Sequence, residues 1–188
     1  QFARFINLVR PQVKKLVMWC RPGLARLFHH SLDIDEISEN VCKLPKFDYQ
    51  LPLLSIPTHF DPELKSLDNF APYLSAAPNT QTLTRLNSLN IGLVWGASDS
   101  GFDHANKKVP LQLIKPLLDI EGICWHSLQV GSDRQDLLVS ALNNQIIDQG
   151  ERLNDFMATA NVIDQLDLVI TCDTSVAHPA APWASRCG

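Results

Sequence analysis

No stretch of this 188-residue chain approaches the roughly 18 consecutive apolar residues that a membrane-spanning helix needs, so none is expected. Basic residues are also scarce: 16 Lys and Arg stand against 20 Asp and Glu, a net charge of −4. The basic doublets are Lys14-Lys15 and Lys107-Lys108, so any anion site is local, and the basic stripe of a nucleic-acid surface is missing. Five scattered cysteines (Cys20, Cys42, Cys124, Cys172, Cys187) form no Cys-x-x-Cys pair, which fits reduced thiols and a cytoplasmic location. His29-His30, His59, His104 and His126 show no metal-ligand spacing. Neither Gly-x-Gly-x-x-Gly, the Walker pattern nor Gly-x-Ser-x-Gly occurs, so dinucleotide, P-loop and serine-hydrolase signatures are absent. A secretory signal is absent too; the chain opens with Gln1 inside an amphipathic pattern and is read as a fragment.

What is present is a core-forming composition, 45% hydrophobic. Phe2, Phe5, Ile6 and Val9 recur at helical spacing, and Pro11 is expected to end that helix. Residues 16–20 read as a strand and 24–28 as a short helix after Pro22-Gly23. A short strand is expected within 34–41, and an extended piece within 47–54, cut by Pro52. From Ser55 to Thr84, four prolines lie among polar residues with no sustained period, which reads as a long connection. The second half is cleaner: strands at 91–95, 123–128 and 166–170 alternate with helical patterns around 111–118, 137–142 and 155–163. That alternation predicts an α/β fold with parallel sheets and crossover helices. The expected division is residues 1–85 and 86–188.

The chain from Gln165 to His178 carries the strongest functional signal. Its apolar run gives way at once to Asp173, Thr174 and Ser175, as when a buried parallel strand turns into a helix start. Such strand ends are where open α/β sheets bind ligands, and backbone amides there suit a phosphate. His178 follows within one turn. The polar loop Gly96 to Gly101, with Ser98 inside it, follows another strand, and Lys107 and Lys108 precede a helix as point charges for an anion. Asp99, Asp103 and Asp133 also fall in loops, but spacing singles out no catalytic carboxylate.

Several pieces, taken in order, resemble a known family. They are Gln1-Phe2-Ala3-Arg4-Phe5, Phe47-Asp48, Leu51-Pro52-Leu53-Leu54-Ser55-Ile56-Pro57 and Pro72-Tyr73-Leu74. Next come Ile91-Gly92-Leu93-Val94-Trp95, Val109-Pro110-Leu111, Ser127-Leu128-Gln129 and Leu166 to Ile170 leading to Asp173-Thr174-Ser175-Val176-Ala177-His178. The set resembles the glycosyltransferase-like region that follows tetratricopeptide repeats in many bacterial proteins. That region is related to the heptosyltransferase (family 9) and O-linked N-acetylglucosamine transferase groups of GT-B enzymes. The resemblance implies two Rossmann-like halves and sugar transfer from a nucleotide-sugar donor to a glycan, lipid or protein acceptor, with no metal and no cofactor. It implies donor contacts from Asp173, Thr174, Ser175 and His178, from the Gly96 to Ser98 loop, and from Lys107 and Lys108.

The chain departs from the family pattern in three places. Lys107-Lys108 stands where Arg-Ser is common, which keeps charge but loses the planar fork. The Gly-x-Gly-Asp loop with the expected general base would lie before Gln1. After His178 the sequence runs through Pro179 and Pro182 instead of a small-residue helix. Codons exist for Pro182 to Gly188 that read Met-Gly-Lys-Pro-Val-Trp in another frame, so a frameshift after His178 is expected. The resulting expectation is a transferase fragment with impaired turnover; the alternative is a non-catalytic interaction module associated with tetratricopeptide repeats.

Overall fold

A computed structural model describes residues 2–61, 63, 72–78, 82–83, 88–97 and 107–177. The chain divides into two compact units, Gln1–Ala77 and Pro78–Gly188.

In the first unit, strands β1 (Val17–Trp19) and β2 (Glu36–Ser38) pair in parallel. Helix α1 (Ile6–Val9) precedes them, flanked by 3-10 turns at Phe2–Phe5 and Arg10–Gln12. The α-helix ends at Val9, ahead of Pro11, and the chain continues only as a 3-10 turn, at whose start a proline needs no N–H partner. Helix α2 (Ala25–Ser31) links the strands and buries Leu27 and Phe28. Its first turn lacks a cap of its own, and Glu39 supplies one by accepting from the amides of Gly23 (2.8 Å) and Ala25 (3.2 Å). The expected extended piece at 47–54 is not a strand; a 3-10 turn at Leu53–Ser55 leads into helix α3 (Ile56–Phe60). The start of the expected long connection is thus helical, and Pro57 sits in the first turn of α3, where its fixed φ favours the helix.

The second unit is built on four parallel strands: β3 (Leu89–Val94), β4 (Ile123–Ser127), β5 (Ile146–Asp148) and β6 (Leu168–Thr171). Their spatial order is β5-β4-β3-β6, so the chain steps outward from β3 on one side and returns on the other. Ile91, Leu93 and Trp95 pack on one face with Leu111 and Ile114 of α4 (Leu111–Leu118) and Leu137 of α5 (Arg134–Leu138). Val94, Leu128 and Val169 pack on the other with Val162 and Ile163 of α6 (Phe156–Ile163). Asp155 caps α6 by accepting from the Ala158 amide at 2.7 Å. Helices thus cover both faces of a parallel sheet, which explains why its strands read as near-continuous apolar runs. Among the described residues, no helix is long and apolar enough to cross a membrane.

Two features of this sheet have measurable consequences. A Cβ on Gly92 would lie 2.7 Å from Leu166 Cδ1 and 2.9 Å from Leu128 Cδ1, and both leucines are fully buried. Gly92→Ala is expected to cost about 1–3 kcal/mol through overpacking, read as a lowered urea midpoint. His126 of β4 is buried, with Nε2 3.1 Å from Asn90 Oδ1 and Nδ1 3.0 Å from Gln149 Nε2. The asparagine oxygen accepts and the glutamine amide donates, an arrangement that holds a neutral ring protonated at Nε2. Burial pushes its pKa below the ordinary value. The unfolded chain takes up a proton near pH 6.5 that the native ring refuses, so stability falls as pH drops through that region. Urea midpoints between pH 7.5 and 5.5 should fall less steeply in His126→Gln than in the wild type.

Candidate functional site

The strand order fixes where a ligand site can form. β3 pairs with β4 on one side and β6 on the other, so the loops leaving β3 and β6 diverge from a common edge. A crevice outside the carboxyl ends of strands at such a reversal is the usual ligand position in open α/β sheets. Residues 95–97 leave β3 there, and Cys172 to Ala177 leave β6 beside them, with the Cys172 amide bonded to the Val94 carbonyl at 3.1 Å.

The first of these loops is held from below. Gln129, buried after β4, accepts from the amides of Trp95 (3.1 Å) and Gly96 (2.9 Å) through Oε1. Its Nε2 donates to the Val130 carbonyl at 2.9 Å. The indole N–H of Trp95 donates to the Asp133 carbonyl, and a Cβ on Gly96 would collide with the Asp133 carboxylate. Only glycine permits that approach. Gln129 and Asp133 thereby shape the floor, a role the sequence does not show, since a polar residue carries no mark of its burial. The resemblance noted at Ser127-Leu128-Gln129 is the sequence signal that includes Gln129.

The chain returns to this floor at residue 109, whose amide donates to the Trp95 carbonyl at 2.7 Å. That return divides the two lysines. Lys108 Nζ lies 2.5 Å from Asp133 Oδ1 and 2.7 Å from Asp136 Oδ2. Asp133, then Asp136, hold its ammonium above the ordinary lysine range. The Asp133 side chain is only 4% exposed, so Lys108 supplies the counter-charge of a buried carboxylate. Lys107 instead points across to the β6 loop, with Nζ 2.7 Å from Asp173 Oδ2. Their side chains are 40% and 79% exposed, which leaves this pair open to water and to exchange.

On the β6 side, Thr174 is half-buried, its hydroxyl 3.2 Å from that of Thr171, and its carbonyl accepts from the Ala177 amide at 3.1 Å. Ser175 is exposed. Burial pushes the Cys172 thiol up, so it is not a thiolate nucleophile at neutral pH. The structure therefore brings Gly96, Lys107, Asp173, Thr174 and Ser175 to the two loops at the strand-order reversal, and gives Lys108 to Asp133. Ser98 and His178, with Asp99 and Asp103, lie outside the described residues. Among the described residues, no group of three or more His, Cys, Asp or Glu is placed to hold a metal ion.

A cavity of about 530 Å³ opens elsewhere, lined by Ile123, Trp125, Leu137, Asn144, Ile146 and neighbours. It draws on residues 123–125 of β4 and on the whole of β5. Its carboxylate, Asp148, is tied to Arg134 at 2.7 Å. It lacks free charge for an anionic ligand, and the strand-order reversal is the better candidate.

Comparison of the chain with protein-family models, curated proteins and solved structures gives no match.

The division of the lysines predicts unequal consequences. Lys108→Met removes a counter-charge from the buried Asp133 carboxylate and should lower stability by about 1–3 kcal/mol, discounted for the partly exposed lysine. Lys107→Met breaks an exposed pair and should change stability by about 0.5 kcal/mol or less. Urea denaturation of the two variants checks the contrast.

Proposed function

We propose that the second unit binds the diphosphate of a nucleotide-sugar donor, and that the chain is a part of a GT-B-type glycosyltransferase. The observation that carries this reading is the β5-β4-β3-β6 order, which sets the Gly96 and Asp173-to-Ser175 loops side by side at a strand-order reversal. Lys107 adds a cation to that corner. The family resemblance supplies the substrate class, and the sheet topology is compatible with it.

In this reading the donor's diphosphate lies against the loops after β3 and β6. Thr174 and Ser175 offer hydroxyls, and Lys107 offers charge. An acceptor hydroxyl attacks the anomeric carbon as the bond to the diphosphate breaks. Negative charge grows on the departing oxygen, and Lys107 stabilises it most in the transition state. Lys108 takes no part in that contact, because its charge is committed to Asp133 and Asp136. The general base that activates the acceptor is not assigned to any residue of this unit.

Calorimetry with UDP, ADP and GDP sugars tests the reading. One of the three should bind, and Thr174→Ala should weaken it up to about tenfold, the worth of one hydrogen bond. Binding left intact by Thr174→Ala would move the donor away from this loop.

A further inference from the structure

The Lys107–Asp173 pair joins the segment ahead of α4 to the loop after β6, across the place where the strand order reverses. Its neighbour Lys108 is engaged by two carboxylates, one of them buried, and is fixed in the floor. Lys107 is therefore the cation of the doublet that an incoming anion can recruit, and in the structure a carboxylate already stands on it. We propose that Asp173 is a built-in counter-ion for Lys107, holding the position that a phosphate group of the ligand takes, so that the ligand binds by exchange. This rests on the diphosphate reading given above and changes one part of it. By resemblance, Asp173 belongs with Thr174 and Ser175 as a donor contact; by its charge and its partner, it opposes the donor.

The chemistry of the exchange follows from exposure and charge number. The Asp173 side chain is 79% exposed, so its carboxylate passes into water with little loss of solvation when it leaves Lys107. A carboxylate that stayed beside a bound diphosphate would face like charge and oppose it. A diphosphate carries more charge than the carboxylate it displaces and presents more acceptor oxygens to the same ammonium. A singly charged anion has no such advantage. The pair thus favours multiply charged phosphate ligands over the simple anions that would otherwise occupy an open lysine.

The test is calorimetry with UDP and with inorganic pyrophosphate on the wild type, Asp173→Asn, Asp173→Ser, Lys107→Met and the Lys107→Met/Asp173→Asn double variant. Unfolding midpoints confirm that each is folded. Both position-173 variants should bind either ligand about three- to tenfold more tightly at low salt, with the gap closing as salt rises. Lys107→Met should remove most of that gain in the double variant. If the wild type binds UDP and the position-173 variants bind it equally or less well, Asp173 is a donor contact and the counter-ion proposal falls. An undiminished gain in the double variant also overturns it, because Asp173 then opposes the ligand by like charge alone and not by occupying Lys107. If neither ligand binds the wild type or any variant, the diphosphate reading itself falls, and the proposal with it.

Discussion

The pairing of β3 with β4 on one side and with β6 on the other is the constraint on which the second unit depends. It places the most buried strand at the centre and makes both its faces core, with Leu93 on one and Val94 on the other. Asp167 fixes where this pairing begins. Its carboxylate accepts from the Asn90 amide, and its own amide donates to the Asn90 carbonyl, each at 2.8 Å. Slipping β6 by one residue would exchange its buried and half-buried faces and break both bonds. From that register the two loops of the candidate site follow without further adjustment.

The electrostatics of the site show how neighbouring residues of one type acquire different tasks. Lys107 and Lys108 are adjacent in sequence, but the return of the chain to Trp95 at residue 109 turns Lys108 toward Asp133. A buried carboxylate needs a partner more urgently than a diphosphate needs a second lysine, since an unpaired buried charge is costly. The exposed pair has no such demand, and in the proposed reading a ligand that arrives with more charge than Asp173 exchanges with it at Lys107. In that reading, structure and function are divided over two consecutive side chains.

Much of the second unit is legible in the sequence, because its strands are long enough to show apolar runs and its helices show a period. Leu111, Ile114 and Leu118 mark α4, and Asp155 marks the start of α6. β5 is not legible: Ile146-Ile147-Asp148 is three residues long, too short for any period to emerge, and its strand character comes from pairing with β4. α3 is hidden by Pro57, which reads as a breaker unless its position in the first turn is known. In the site, the glycine and the small polar loop residues could be named from sequence. The roles of Gln129, Asp133 and Asp173 could not, since each depends on a partner at least 25 residues away or on burial that only packing creates.

The central claim is that the loops after β3 and β6 form one anion-binding corner. The most direct test is an amide chemical-shift titration with UDP, following Gly96, Ala97, Thr174 and Ser175. The account predicts that resonances from both loops shift together with a single affinity. Shifts confined to one loop, or gathered around Trp125 and Ile146 instead, would contradict it.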